Sequence, residues 1–466
     1  QEYKIPGTLL MQRAGACLFE YFPKQTKNIL IFIGPGNNGG DGSVAAFFAK
    51  QAGINVTVIH LCDLDDIKGD AKLMLDHALS LGVEYIRYKS NYHIPTDTDV
   101  IIDALLGTGL NKAVSDEYLE AIIKINKANV YTISADIPSG LCANTGSVLG
   151  DGVKADITCT FIGYKKGLFT SDAPDYVGKL ILDTLKIPDE VYCQIKSDTE
   201  KLSIENINVM SHQRKQNTNK GSFGNLVVIA GDKGMPGAAL MNSISALRVG
   251  AGKVNLITHP EHSNIICANA PEIMSHGLTD ESDIISFCEK ASAILIGSGT
   301  SLGNKWSEKM FAIIRNINKP IIADAGILDF IKNHKMKSND LIITPHPGEA
   351  ARILNISTNE INQDRFKAVD ELAKKIHCTA ILKGKGTLIK SIVNPQNYLC
   401  PYGNPAMATA GMGDVLAGMI AGLRAQGYSA LDASKIGVTR HSHIADQLVL
   451  KEGKKQLIAS DIYLHL

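Results

Sequence analysis

Two short stretches place a carboxylate inside a glycine-rich turn. GPGNNGGDG, residues 34–42, follows the apolar run NILIFI and precedes the helical pattern SVAAFFAKQAG. Gly34, Gly36 and Gly39 have the spacing of a dinucleotide-binding turn. That spacing also fits any tight strand-to-helix turn. Asp41 sits where a helix amino terminus would otherwise welcome a phosphate. Asn37 and Asn38 offer amide oxygens, Asp103 in DALLGTGL (103–110) a carboxylate, and Ser139 in ADIPSG (135–140) a hydroxyl. Such oxygen donors suit a hard cation, and a cation would screen Asp41 and Asp103 from a nearby phosphate. The second stretch is GNPAMATAGMGDVLAGMIAGLRAQG, residues 403–427, in which TAGMGD opens a strongly apolar helix. Helix-terminal amides and the helix dipole form an anion site, and Asp414 stands at its mouth. In phosphoryl transfer the amides of 411–413 would stabilise the moving charge while Asp414 takes the proton of the attacking hydroxyl. Asp414 as a plain helix cap is the alternative.

Further motifs could serve the second site. LKGKGT (382–387) sets Lys383 and Lys385 to meet a nucleotide's phosphates, and TPHPGE (344–349) holds His346 between two prolines, with Glu349 at the next helix start. IGSGTSLG (296–303) is another glycine-rich exit, and GDKGMPGAALMNSISALRVGAG (231–252) reads as a loop and a small-residue helix that a ligand ring could approach closely.

These residues need elements to hold them. Fully apolar runs of four to eight residues suit strands buried on both faces of a parallel sheet. The first half has NILIFI, INVTVIHL, DVIIDALL, VYTISADI and DITCTFI; the second has NLVVIAG, KVNLIT, SAILIGS, PIIADAG, LIITPH and TAILKG. Helical patterns over 43–52, 237–250 and 365–376 lie between them, the alternation of a doubly wound α/β fold. In such sheets ligands bind beyond the carboxyl ends of the strands, at the topological switch point, so the 34–42, 103–110 and 135–140 loops should share one edge. Lys165 and Lys166 follow a fourth strand, in the site or on the surface. The rhythm breaks from about 186 to 220, ending in the polar SHQRKQNTNKGSFGN, which reads as a domain boundary.

The chain has 466 residues, room for two large domains or three smaller ones. It is 45% hydrophobic and 20% charged, ordinary for globular cores. Lys plus Arg and Asp plus Glu both total 47, which argues against a nucleic-acid or anionic-membrane surface. No apolar run approaches the roughly 18 residues of a membrane span, and the start lacks the regions of a secretion signal. Nine cysteines without a C-x-x-C pair read as reduced thiols, so a cytoplasmic protein without structural zinc is expected.

GPGNNGGDG, DALLGTGL, ADIPSG and TFIGYKKG, in that order, resemble the NAD(P)H-hydrate epimerase domain. PGTLLMQRAG is similar to that family's N-terminal helix entry, with an upstream helix expected to be absent. The resemblance implies a Rossmann-like three-layer domain over residues 1–205 that interconverts the R and S epimers of hydrated NADH or NADPH at ring carbon 6. It implies dinucleotide contacts from Asn37, Asn38, Gly39, Gly40 and Asp41, and from Gly107, Thr108, Gly109, Leu110, Asn111, Lys112 and Ala113. It implies potassium at Asn38, Asp103 and Ser139, and Asp136 as the acid/base beside the altered ring. The chemistry agrees: a carboxylate can protonate a departing hydroxide and deprotonate the water that re-adds. Asp136 as a turn cap before Pro138 is the alternative. In a non-catalytic scaffold of this fold the acidic loop residues would be expected to be lost; here they are present.

The second-half motifs, in order, look like the ADP-dependent NAD(P)H-hydrate dehydratase domain, of ribokinase-like α/β fold, over residues 212–466. The resemblance implies that Lys383, Gly384, Lys385, Gly386, Thr387 and Gly413 bind the adenine nucleotide. It implies that Ala239, Gly299, His346 and Asp414 bind the hydrated dinucleotide, with Mg²⁺ at the phosphates and Glu349 orienting it through water. Two departures stand out. IGSGTSLG has Ser298 where the family more often has proline, and ADAGIL lacks a second aspartate common there. The implied reaction phosphorylates the 6-hydroxyl of the S epimer with ADP, after which phosphate, a far better leaving group than hydroxide, departs and NAD(P)H is restored. A ribokinase-like small-molecule kinase with a regulatory dinucleotide-binding half, or a non-catalytic scaffold, is the alternative. A homo-oligomer is the expected assembly.

Overall fold

The computed structural model describes residues 5–210 and 215–466. The chain divides into two compact units after Lys196. Residues 211–214 of the polar boundary stretch, and with them the expected domain start at 212, lie outside the described residues.

The first unit has seven strands: β1 (Asn28–Ile33), β2 (Asn55–His60), β3 (Glu84–Arg87), β4 (Val100–Ala104), β5 (Tyr131–Ala135), β6 (Ile157–Phe161) and β7 (Lys179–Asp183). They form one parallel sheet in the order β3-β2-β1-β4-β5-β6-β7. Chain direction across the sheet reverses between β1 and β4, the switch point of a doubly wound fold. Alternation along β1 divides the core: Ile29, Ile31 and Ile33 face the helices Gly7–Glu20, Asn37–Gln51 and Gly69–Ser80. Leu30 and Phe32 face Ala121, Ile122 and Ile125 of the helix Asp116–Ala128. Ile29 is in register with Val56 and Val100, and Ile31 with Val58 and Ile102, so each face is a continuous apolar surface. This is the expected Rossmann-like three-layer architecture.

The second unit has ten strands: β8 (Thr199–Lys201), β9 (Asn225–Ile229), β10 (Lys253–Ile257), β11 (Met274–His276), β12 (Ala293–Ile296), β13 (Ile321–Ala323), β14 (Leu341–Ile343), β15 (Thr379–Leu382), β16 (Thr387–Ser391) and β17 (Asn397–Cys400). Their order is β11-β10-β9-β12-β13-β14-β15-β16-β17-β8, parallel except for β16, which is antiparallel to both its neighbours. The expected first domain ended at 205, but β8 pairs in parallel with β17, so 199–201 belong to the second sheet. A three-residue polar strand at a sheet edge leaves no periodic signal.

The helices Pro236–Arg248 and Met412–Ala425 cross at unusually close range. A Cβ on Gly418 would lie 2.2 Å from the Asn242 carbonyl oxygen, so only glycine permits this approach. That contact brings the GMGD turn to the sheet. The expected helices 43–52, 237–250 and 365–376 correspond to Asn37–Gln51, Pro236–Arg248 and Arg365–Ile376. No helix among the described residues is long and apolar enough to cross a membrane. All nine cysteines are free thiols.

Candidate active sites

In the first unit the loops after β1, β4 and β5 meet at the switch point. A Cβ on Gly34 would lie 2.1 Å from the Leu105 carbonyl oxygen, so the first two loops pack backbone to backbone. Asn38, in the first turn of the helix Asn37–Gln51, donates from Nδ2 to the carbonyls of Leu106 (3.1 Å) and Ala135 (2.8 Å), tying all three loops together. Asp103, at the end of β4, is fully buried. Its carboxylate accepts from Ser134 Oγ (2.8 Å), Ser139 N (2.8 Å), Ser139 Oγ (2.6 Å) and Leu105 N (3.3 Å). Burial pushes its pKa up, and those hydrogen bonds, Ser139's first, draw it back.

Asp136 follows β5 with φ of 63°, a left-handed conformation uncommon outside glycine and costly enough to mark a constrained position. It does not cap a turn. Its Oδ1 accepts from Phe161 N (3.0 Å) and Thr160 Oγ1 (3.2 Å) and forms an ion pair with Lys165. Lys165 also donates to Thr160 Oγ1 (3.0 Å) and the Phe161 carbonyl (2.9 Å), which resolves its position in favour of the site. A cleft of about 570 Å³ runs past Asn37, Asn38, Asp41, Thr108, Asp136 and Lys165. Gly39 and Gly40 are buried in the turn beneath it. The rest of the 107–113 loop continues beyond the cleft, with Gly109, Asn111, Lys112 and Ala113 exposed. Asp41 is 7% exposed. Burial first, then the Asp136 charge, push its carboxyl well above the usual range, while Lys165 works against them.

In the second unit the loops after β9, β12, β13, β14 and β15 share one edge. At their centre is Asp324, buried at the end of β13. It accepts from Thr344 Oγ1 (2.6 Å) and Ser298 Oγ (3.1 Å) and forms a 3.0 Å ion pair with Lys383. Burial works against the Lys383 ammonium, but Asp324 and then Glu349, at 4.0 Å, more than offset it, and its pKa is raised. Lys383 Nζ sits against the GMGD turn, 3.4 Å from where a Cβ on Gly413 would lie. Asp414, two residues beyond Met412 at the helix start, takes no amide of its own turn. Burial first, then the Asp324 charge, push its pKa up to about 6, opposed by Lys383 and a Ser298 hydrogen bond. Its backbone carbonyl accepts from Asn242 Nδ2 (2.6 Å).

The remaining expected residues are more dispersed. His346 is half exposed and caps the helix Pro347–Leu354, its Nδ1 accepting from Gly348 N at 3.0 Å. Glu349 closes that capping box by accepting from His346 N at 2.8 Å. Gly299 packs on the start of the helix Pro236–Arg248, and Ala239 is buried within that helix. Lys385 Nζ donates to the carbonyls of Gly403 (2.7 Å) and Pro401 (3.1 Å). Thr387 Oγ1 donates to the Gly384 carbonyl (2.8 Å), closing the 383–387 turn. Gly386 completes that turn with positive φ. Arg365, nearly fully buried, donates to the carbonyls of Leu382 and Lys383 and braces the same loop.

Sequence reasoning did not single out Asp324 or Arg365. Asp324 had a signal, an acid directly after an apolar run, as at Asp136. Arg365 had none.

Comparison with known proteins decides the family. Over 460 residues the chain is 38% identical to the bifunctional NAD(P)H-hydrate repair enzyme of Coxiella burnetii, covering 98% of this chain and 93% of that one. This chain belongs to the bifunctional NAD(P)H-hydrate repair enzyme family. The enzyme of that name from Escherichia coli is 36% identical over 97% of this chain and 88% of its own. Residues 226–463 match the NAD(P)H-hydrate dehydratase family, and residues 7–167 match the YjeF-related protein N-terminus. Among solved structures, a ribokinase-like superfamily protein from Enterococcus faecalis is 26% identical with a TM-score of 0.54, covering 58% of this chain and 95% of that one. The ADP/ATP-dependent NAD(P)H-hydrate dehydratase of Bacillus subtilis, co-crystallised with ATP/Mg²⁺, is 28% identical with a TM-score of 0.50, covering 56% and 95%. The repair enzyme family thus combines a doubly wound unit and a ribokinase-like unit in one chain.

Proposed function

We propose that each unit performs one step of nicotinamide repair. The first interconverts the R and S epimers of hydrated NADH or NADPH, and the second dehydrates the S epimer with ADP, releasing AMP and phosphate. The observation that carries this reading is the Asp414 carboxyl. It stands at the amino end of an apolar helix beside Lys383, with a pKa of about 6 that suits a base at neutral pH.

In the first unit the ring nitrogen's lone pair loosens the C6–O bond. Asp136, held by Lys165 and the Phe161 amide, exchanges protons with the departing hydroxide and the re-adding water. Asn37–Asp41 and Gly107–Ala113 contact the dinucleotide. A potassium ion fits the donor set of Asn38, Asp103 and Ser139. Asp103 is a fully buried carboxylate with no cationic partner among the described residues, and all three side chains offer hard oxygens. When bound, the ion would supply positive charge against Asp103 and the ligand's phosphates.

In the second unit Asp414 removes the proton of the 6-hydroxyl as its oxygen attacks the β-phosphorus of ADP. The first-turn amides, Gly413 among them, and Lys383 stabilise the phosphoryl charge, and the turn Lys383–Thr387 seats the nucleotide. Ala239, Gly299 and His346 line the dinucleotide's place. The C6–O bond then breaks with phosphate as leaving group, C5 loses a proton, and the reduced ring returns. The described residues hold no cluster of three or more His, Cys, Asp or Glu able to cage a metal. Mg²⁺ would therefore arrive on the nucleotide's phosphates, and Glu349, committed to its capping box, would orient it only through water. The balanced charge supports an absence of nucleic-acid and anionic-membrane partners, the free thiols support a reducing, cytoplasmic setting, and a homo-oligomer is the assembly proposed.

Incubating mixed R and S hydrated NADH with ADP and Mg²⁺ tests the reading. Complete return of reduced-nicotinamide absorbance is expected. A stable phosphorylated hydrate would instead identify a kinase, and no nucleotide-dependent change would reject the assignment.

A further inference from the structure

The second sheet carries another cleft where β14 begins, at the edge opposite the catalytic loops. Its volume is about 640 Å³, and it lies between the loop leading into β14 and the carboxyl end of the helix Arg365–Ile376. None of its lining residues belongs to the catalytic edge. Its walls carry one sign of charge. Lys332, Lys335, Lys375, His334 and His377 line it and no carboxylate does, in a chain whose formal charge is zero. The acids on the surrounding elements are all engaged elsewhere. Asp329 pairs with Arg352 at 2.8 Å, Asp370 with Lys374 at 2.5 Å and Lys390 at 3.8 Å, Glu371 with Lys367 at 3.9 Å, and Asp340 with Arg424. Lys332, Lys335 and Lys375 have no carboxylate or carbonyl partner for their ammonium groups among the described residues.

A plainer account is that lysines near a helix end offset the helix dipole. Two helix carboxyl ends meet here, each worth about half a negative charge, so three ammonium groups leave a surplus of about two. Nor do they cap those ends. The carbonyls of Leu328, Phe330 and Ile331 accept from the amides of Lys332, Asn333 and His334, and that of Ala373 from His377 and Cys378. The surplus is therefore available to an anion from solution. The imidazole of His334 is held in place for it. Its ring stacks on Phe330, with centroids 4.1 Å apart and planes 12° from parallel, and its Nδ1 donates to the Phe330 carbonyl at 2.9 Å, which leaves Nε2 for a ligand. Beneath the cationic rim the floor is apolar, formed by Ile331, Met336, Leu341 and Ile376. Clefts of roughly 300–1,000 Å³ hold small ligands. A single phosphate would leave most of this one empty, whereas a chain of phosphates, or a nucleotide with its base on the apolar floor, fills it.

We propose that this cleft is a second, non-catalytic site of the second unit, which binds small molecules carrying two or more linked phosphates. The three lysines and His334 meet the phosphates, and the floor takes any apolar part. The proposal does not depend on either catalytic carboxyl.

The test is equilibrium dialysis of inorganic tripolyphosphate against the full-length protein. ADP is kept at saturation to occupy the catalytic edge, and Mg²⁺ in excess over total phosphate. Binding of about one equivalent per chain is expected, weakening as salt is raised. The combined variant Lys332→Gln, Lys335→Gln and Lys375→Gln should bind tripolyphosphate more than about tenfold more weakly. Its ADP affinity should stay within about twofold of the parent, which shows that the second unit is folded. A control variant that replaces the exposed lysines 290, 305 and 451 by glutamine should bind tripolyphosphate as the parent does. GTP in place of tripolyphosphate separates the two sources of such phosphates. A tighter complex that the cleft variant loses assigns the site to a nucleotide, and an equal or weaker one to a bare oligophosphate. The proposal is overturned if neither probe binds beside ADP, if the cleft variant binds them as the parent does, or if the control variant loses them equally.

Discussion

The two units place an aspartate at the carboxyl edge of a parallel sheet and then treat it in opposite ways. Asp136 is clamped by Lys165, a backbone amide and a threonine hydroxyl. Asp414 is buried, faces the Asp324 charge and is pushed up to about 6. In the first unit the raised carboxyl is instead its neighbour Asp41, which shares the cleft with Asp136. The difference teaches that a strand-end acid does not define a chemistry. A clamped carboxylate suits an exchange in which protons are both given and taken next to a second carboxyl whose pKa burial raises. A single desolvated carboxylate beside a lysine suits a step that takes one proton as a phosphoryl group arrives.

The sharpest way to break this comparison is a crossed pair of variants. Asp414→Asn should lower dehydration about 10³-fold and leave epimerisation within about twofold, while Asp136→Asn should do the reverse. Coupled assays with separated R and S epimers would show it, and loss of both activities in either folded variant contradicts independent sites. Next comes the clamp. Lys165→Met leaves Asp136 without its cation, and epimerisation should fall about 10- to 100-fold while dehydration of pure S epimer is unchanged. The first unit should also lose stability, by less than the roughly 3–5 kcal/mol of a fully buried pair, since the two side chains keep 18% and 15% exposure. Parity with the parent in both readouts would make the pair incidental.

The pH profile follows. Dehydration should lose about tenfold per pH unit below pH 6, where Asp414 takes up a proton, and should be flat above it. An acid limb near 4 would mean that the base is not desolvated. A smaller effect is expected on replacing potassium by choline: epimerisation should fall several-fold and dehydration of the S epimer should not change. The smallest concerns Asp41. Its folded pKa is raised, so the stability it contributes is present below the unfolded value of about 3.9 and is lost as pH rises through the folded value. At neutral pH, Asp41→Asn should therefore raise the melting temperature of the first unit by about 2 °C, and a drop would show that the charged form is stabilised there.

Much of the architecture was legible because buried parallel strands are short apolar runs. β1, β2, β4, β5 and β6 in the first unit, and β9, β10 and β12–β15 in the second, all fall in such runs. The edge strands β3, β7, β8 and β11 did not announce themselves, since one flank of each has no neighbour to demand apolar residues. The β16–β17 hairpin broke the strand-then-helix rhythm instead. Among site residues, Asp136 and Asp414 were visible from their place after a run or at a helix mouth. Lys165 was visible but ambiguous, because a lysine pair after a strand has the same local pattern on a surface as in a cleft. Arg365 was invisible: an arginine near the start of an amphipathic helix is ordinary until its guanidinium is seen bracing the 383–386 loop.

The amino-acid sequence alone determined that this protein is two α/β units with glycine-rich turns at their strand ends, since period, punctuation and residue type are local properties. Only the tertiary structure decided which charges face one another. Lys165 meets Asp136 from 29 residues away, Lys383 meets Asp324 from 59, and Ser298 meets Asp324 from 26. The physical reason is that a carboxyl's protonation depends on burial and on neighbouring charge, and both are set by how the sheet brings distant loops to one edge.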